Sequence, residues 1–185
     1  LARNAYLMKV EEVEPSAILN IVHDPAIAKR MAKDYRYLYC DDERMPSFVD
    51  MHSFAYRIIR FHDKMIQRES CKAYRDMEKV VRRLIKDMFA MELTGVQLRR
   101  LMRQISTCRT MMMSEREIAS ISFEGIDFPA FLKAYDKFKN ERNIYDQDDI
   151  LCECARILMS TPAVLQTFSS RYQYVHIDDA QELSF

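Results

Sequence analysis

Two glycines in 185 residues, Gly95 and Gly125, thirty positions apart, constrain this chain more than any other feature. A phosphate-cradling loop of the G-x-x-x-x-G-K-[ST] kind, or a G-x-G-x-x-G turn, needs at least two glycines within a few residues. Neither can be built from this sequence. Tight hairpins also lean on glycine, so a turn-rich β-sandwich is disfavoured. What remains is a chain of helices and a few strands joined by other turns. With 49% hydrophobic and 30% charged residues, it has the composition of a globular domain rather than a disordered one.

Cysteine usage points to a reducing compartment. Five cysteines at irregular spacing do not make a disulfide framework, so a cytoplasmic location is expected. Cys152 and Cys154 form a C-x-C, whereas zinc sites come as C-x2-C pairs or with nearby histidines, and His176 is the only later histidine. These thiols are expected as small buried apolar residues, and the thirteen methionines as fillers of core gaps. No apolar run approaches the roughly 18 residues of a membrane span, so no membrane association is expected.

Strand signals lie towards both ends. Residues 17–22 form a nearly continuous apolar run suited to a strand buried on both faces, and 47–50 and 173–177 are β-type. Helices are expected over Leu1–Val10, Pro25–Tyr35 and His52–Phe61, the second with proline in its first turn. The middle is helical throughout. Tyr74, Met77, Val81, Leu84 and Met88 recur every three or four residues within a helix over 70–91. Leu98, Leu101, Met102, Ile105 and Met112 define the next helix. Others run from Asp127, as N-cap, to Arg142 and from Asp146 to Met159, with a short one near Ala163–Phe168. The plan is α/β, mostly helical: a sheet unit over 1–61 and 143–185, interrupted by a helical insertion over 62–142.

Charge follows the same division. Between Arg57 and Arg116 there are 15 Lys+Arg against 7 Asp+Glu, leaving 13 against 21 elsewhere, so the zero net charge hides a basic insertion in an acidic body. Lys72, Arg75, Lys79, Arg82, Arg83 and Lys86 recur at helical spacing, and Arg99, Arg100 and Arg103 form a second cluster. Such faces neutralise phosphates without reading sequence. They can equally be solvated surface, paired with Glu69, Asp76, Glu78 and Asp87 at i,i+3 and i,i+4.

The sharpest chemistry lies at the end, Val175-His176-Ile177-Asp178-Asp179-Ala180-Gln181-Glu182. A strand ending in two carboxylates places them at the carboxyl edge of a sheet, where open α/β sheets bind ligands. One can hold Mg²⁺ while the other acts as general base on water. Read alone, the pair is weak evidence and fits an acidic turn better than a site.

The segment resembles motif II (Walker B) of UvrD/Rep-type superfamily 1A DNA helicases. Tyr145-Asp146-Gln147-Asp148-Asp149-Ile150-Leu151 is similar to that family's Y-D-F-D-D-L-L, and Asp50 to Arg60 resembles its T-F-H-S-x-x-x-R-I-L-R. Ile18 to Met31 is similar to motif Ia, and Leu1 to Leu7 to the helix after the Walker A loop. The resemblance implies a partial RecA-like parallel sheet of the P-loop NTPase type, with an insertion like subdomain 1B. It implies part of an ATP-dependent 3′–5′ helicase acting in DNA repair or recombination, using ATP and Mg²⁺. Asp178 would hold the metal, and Asp179 and Gln181 would serve catalysis. His52 and Ser53 would contact single-stranded DNA, with Lys72, Arg75, Lys79, Arg99, Arg100 and Arg103 on the duplex. With no phosphate loop, the chain is expected to be a fragment that binds no ATP and hydrolyses none by itself. The sheet edge where that loop's strand would pair makes self-association an expectation too. Asp179 stands where the family has Glu, and Glu182 where it has Asp. Val22, His23, Asp24 and Pro25 replace Thr, Phe, Thr and Asn of motif Ia, and Asp50 and Met51 replace Thr and Phe. These departures leave open a second reading, an inactive helicase-like module that binds DNA or a protein.

Overall fold

The computed structural model describes residues 1–39 and 44–180. In chain order its elements are α1 (Ala2–Lys9), a 3₁₀ turn (Pro15–Ala17), β1 (Ile18–Val22), α2 (Pro25–Tyr39), β2 (Ser47–Asp50) and α3 (Met51–Met65). They continue with β3 (Lys72–Ala73), α4 (Met77–Phe89), α5 (Gly95–Thr110), α6 (Glu115–Ala119) and α7 (Phe128–Arg142). The last are β4 (Ile144–Tyr145), α8 (Gln147–Ser160), α9 (Pro162–Arg171) and β5 (Tyr174–Ile177). The architecture is α/β and mostly helical, as the strand signals at the two ends predict.

Two compact units share the described chain, residues 1–67 with 154–180, and Arg68–Glu153. In the first, β2, β1 and β5 lie in that order in a three-stranded parallel sheet. Leu19 pairs with Ser47 and Val22 with Asp50 on one side of β1, and Ile18 with Tyr174 and Ile21 with Ile177 on the other. The central strand is buried along its whole length, which accounts for its unbroken Ile-Leu-Asn-Ile-Val run. Ala55, Ile58 and Ile59 of α3 and Val164 and Phe168 of α9 are buried in the same unit. Phe54 and Phe61 meet the Phe168 ring edge-on, with centroids 5.9 and 5.5 Å apart.

The second unit has its own core, in which Val81, Ile85, Leu101, Ile105, Phe128, Phe131 and Tyr135 are fully buried. Its helices begin where capping residues stand. Thr94 and Gln97 close a capping box on α5, and Asp127 accepts from the Ala130 N–H at the start of α7. The helix expected from Ser70 begins only at Met77. Lys72–Ala73 instead pairs in parallel with Ile144–Tyr145, with the Lys72 and Tyr74 N–H groups donating to Asn143 and Tyr145 carbonyls at 2.9 and 2.8 Å. The buried stripe of α4 is accordingly Met77, Val80, Val81 and Ile85, while Tyr74 and Met88 are exposed. Helix α6, absent from the sequence reading, starts at a capping box made by Ser114 and Glu117. Met111 and Met112 are about two-thirds exposed rather than core fillers, since α5 ends at Thr110 and Met112 turns the chain with a left-handed φ of 47°. The boundaries of this unit lie at 68 and 153, against 62 and 142 in the sequence reading. Helix α3 runs on to Met65, and the start of α8 is tied to α7 by buried ion pairs.

Candidate functional site

Because β1, β2 and β5 are parallel, their carboxyl ends share one edge of the sheet. Three acidic positions arrive there, at Asp24, Asp50 and Asp178, with β2 and β5 two strand spacings apart, or about 10 Å. The pairing of β5 continues one residue past the strand, where the Asp178 N–H donates to the Ile21 carbonyl at 2.9 Å. Asp178 is exposed, and among the described residues its carboxylate has no hydrogen-bond or ion-pair partner. An unpaired oxygen donor at the end of a parallel strand suits a hard cation such as Mg²⁺. Asp179 is also exposed and takes a left-handed φ of 51°, a conformation Asp tolerates better than most side chains, so the chain turns sharply just past the edge. Gln181, like Glu182, lies outside the described residues.

Asp24 and Asp50 are used differently. Asp24 Oδ1 accepts from the Ala26 N–H at 2.6 Å and the Ile27 N–H at 3.3 Å, capping α2. Asp50 Oδ1 accepts from the Ser53 N–H at 2.9 Å as N-cap of α3, and its side chain is buried. The two acids that replace threonines in the resemblance are thus spent on orphan N–H groups at helix starts, where negative charge is favoured. His52 and Ser53 fall in the first turn of α3 at the same edge, His52 half-buried and Ser53 exposed.

A cavity of about 360 Å³ opens beside β5. Arg3 and Asn4 of α1, Asn20 of β1, and His176 and Asp178 line it. Asn4 Nδ2 donates to Asn20 Oδ1 at 2.9 Å, Asn20 Nδ2 donates to the Ser47 carbonyl at 3.1 Å, and His176 Nδ1 lies 3.2 Å from Asn20 Oδ1. Burial pushes the His176 imidazole below its ordinary pKa, and the Arg3 charge pushes the same way. The sequence reading missed this trio. Its signals were an asparagine inside an apolar run and a histidine inside a β-type run, two positions that the strand register brings face to face.

The basic residues expected to meet duplex DNA are all at the surface: Arg99, Arg100 and Arg103 on α5, Lys79 on α4, and Lys72 and Arg75 ahead of α4. Lys72 and Arg75 therefore do not share a helix face with Lys79, because the β3 pairing keeps that stretch out of helix. Several of these charges are matched by acids. Lys79 contacts Asp76 at 2.5 Å, Arg83 contacts Asp87 at 3.5 Å, Lys86 contacts Glu92 at 3.0 Å and Arg100 contacts Glu124 at 3.2 Å. Arg99 and Arg103, one turn apart, have no acidic partner among the described residues. Cys108 and Cys154 are buried, Cys71 and Cys152 half-buried, and Cys40 lies outside the described residues. Among the described residues no group of three or more His, Cys, Asp or Glu side chains is placed to hold a metal, and no helix is long and apolar enough to cross a membrane.

A search for similar curated proteins finds no match. The family model described as the UvrD/REP helicase N-terminal domain matches residues 1–185, the whole sequence. Taken with the parallel sheet and the acidic pair after its last strand, this match shows that the chain belongs to the UvrD/REP helicase N-terminal domain family.

Proposed function

We propose that the chain is the motif Ia to motif II portion of an ATP-dependent 3′–5′ DNA helicase, working within a longer protein of the cytoplasm that serves DNA repair or recombination. The observation that carries this reading is Asp178, an unpaired carboxylate presented at the carboxyl edge of a parallel sheet in a chain of this family. Asp178 would hold Mg²⁺, which supplies charge neutralisation at a nucleotide's phosphates when bound. Asp179 would orient and deprotonate water, with Gln181 beside it in sequence. The glycine count supports supply of the phosphate loop from outside these residues, since the two glycines are too far apart to build one. Helix α3 starts at this same edge, and its capped first turn would carry His52 and Ser53 to single-stranded DNA. Capping by Asp24 and Asp50 keeps those carboxylates engaged with backbone N–H groups, which favours the motor over the inactive module.

On the helical unit, Arg99 and Arg103 are the side chains best placed to meet duplex phosphates, with Arg100, Lys72, Arg75 and Lys79 adding to the field. The second reading, a module that binds without turning over ATP, draws on Asp179, whose side chain is one methylene shorter than the glutamate it replaces. Val175 and Ile177 on β5 are each nearly half exposed, which supports strand pairing with a second copy at this edge.

Fluorescence anisotropy with a labelled duplex tests the DNA reading on the chain itself. Binding should be weak, independent of sequence and steeply reduced by salt. Arg99→Glu, Arg100→Glu and Arg103→Glu together should weaken it further, while Asp179→Ala leaves it unchanged. An unaltered affinity in the triple variant at low salt would make the basic face solvated surface only. The isolated chain should show no ATP hydrolysis, and turnover would overturn the division of labour proposed for the phosphate loop.

A further inference from the structure

Asn20 stands at the middle of β1, directly across from His176 of β5, and Asn4 of α1 reaches the same spot. One contact sets the chemistry of all three. Asn20 Nδ2 donates to the Ser47 carbonyl, a role only the amide nitrogen can take, so its Oδ1 is the atom turned towards Asn4 and His176. An amide oxygen accepts only, and it can accept twice. Asn4 Nδ2 and His176 Nδ1 must therefore both be donors. A neutral imidazole that donates from Nδ1 carries no proton on Nε2. His176 Nε2 is buried without a partner, and so is the second polar atom of Asn4, its Oδ1, in a residue only 1% exposed. Both residues line the cavity beside Asp178.

We propose that Asn20 is a positioning residue that fixes His176 as the Nδ1–H tautomer, clamping β5 to β1, β2 and α1 two residues before Asp178, and leaving His176 Nε2 and Asn4 Oδ1 as a pair of acceptors for a hydrogen-bond donor in the cavity. An incoming N–H or O–H group is stabilised at that wall, whereas a carboxylate or phosphate oxygen meets two lone pairs. The consequence for Asp178 rests on the proposed function; the tautomer does not.

Long-range ¹H–¹⁵N NMR of the ¹⁵N-labelled chain tests this at mildly alkaline pH, where an ordinary histidine is neutral. The His176 proton is expected on Nδ1, with Nε2 resonating as a bare nitrogen. In Asn20→Ala the proton should move to Nε2, and exchange of the Asp178 N–H bonded to Ile21 should accelerate. Asp178→Asn should leave the tautomer unchanged, which separates this inference from the metal reading. Acetamide, a neutral N–H donor, should move the Nε2 resonance saturably, and acetate should not. A proton on Nε2 in the parent chain, an unchanged tautomer in Asn20→Ala, or equal responses to acetamide and acetate would each overturn the proposal. Should Asn20→Ala fail to fold, the parent chain's own tautomer and its responses to acetamide and acetate still decide. Replacing all three polar groups at once, with Asn4→Leu, Asn20→Ala and His176→Leu, should give a chain that melts above the single Asn20→Ala variant; the opposite order would sink the network.

Discussion

Each unit buries a polar cluster, and the two clusters are of opposite kinds, although the sheet unit also buries Asp50, His62 and Asp63. Under the sheet lie two amides and an imidazole, held to one another by neutral hydrogen bonds. In the helical unit the buried polar centre is ionic. Lys139, only 3% exposed, holds its Nζ 2.8 Å from Asp146 and 2.7 Å from Asp149, and Tyr135 donates to Asp146 at 2.9 Å. Arg109 pairs with Asp136 beside this group. A charge loses more than an amide on leaving water, so the ionic centre tolerates loss of a partner far less than the neutral one. The difference also fits the work each does. The ion pairs latch α7 to the start of α8, while the amides set how three strands and a helix meet behind Asp178.

The largest expected effect comes from breaking the latch. Lys139→Met leaves Asp146 and Asp149 buried without their cation and should cost about 3–5 kcal/mol in the helical unit. Urea unfolding followed by hydrogen exchange should show that loss while protection of β1 and β5 persists. A loss below about 1 kcal/mol would mean that water already reaches the pair.

The pH dependence sharpens the same point. Burial pushes Asp146 up, but the Lys139 charge and hydrogen bonds from Lys139, the Asp149 N–H and Tyr135 outweigh it and hold the carboxyl below its ordinary 3.8. Burial and the neighbouring Asp146 charge raise Asp149 above 3.8. The signs are opposite. The Asp146 contribution is in place above 3.8 and is lost as pH falls through its lower folded value. Ionised Asp149 is disfavoured in the folded chain, and that cost is relieved as pH falls through its raised value. The stability gap between the parent and Lys139→Met should thus be widest near neutral pH and narrow on acidification. Denaturant midpoints at a series of pH values would read it, and a gap that widens in acid would refute the account.

Asn20→Ala should cost less, about 1–3 kcal/mol, because it strands neutral groups. The loss should appear in the sheet unit and leave the buried helices of the other unit protected. Smaller still, Thr94→Ala removes the cap of α5 and should cost about 1 kcal/mol, read as a lower melting temperature.

Periodicity and capping made much of this fold legible. The apolar run over 17–22 suited a strand buried on both faces, and Asp127 followed by Pro129 marked the start of α7. The Ser114-x-x-Glu117 capping box was equally readable, though α6 spans too few residues to show a periodic stripe. Lys72–Ala73 was not readable as strand, because its pairing partner lies some seventy residues along the chain and local helical spacing ran through it. The acidic pair at Asp178 and Asp179 was visible as a motif. The polar trio was not, since nothing local to Asn4, Asn20 or His176 reports that they meet.

Local chemistry therefore determined most helices and the three strands of the larger sheet, where most helices begin, and that these 185 residues hold no glycine-rich phosphate loop, because each shows in neighbours a few positions apart. Tertiary structure alone decided what the polar side chains do. Lys139 was closed in by carboxylates, and Asn20 came to accept from both Asn4 and His176. A side chain's hydrogen bonds depend on which atoms folding brings within about 3 Å, and for partners up to 156 residues apart no local pattern carries that information.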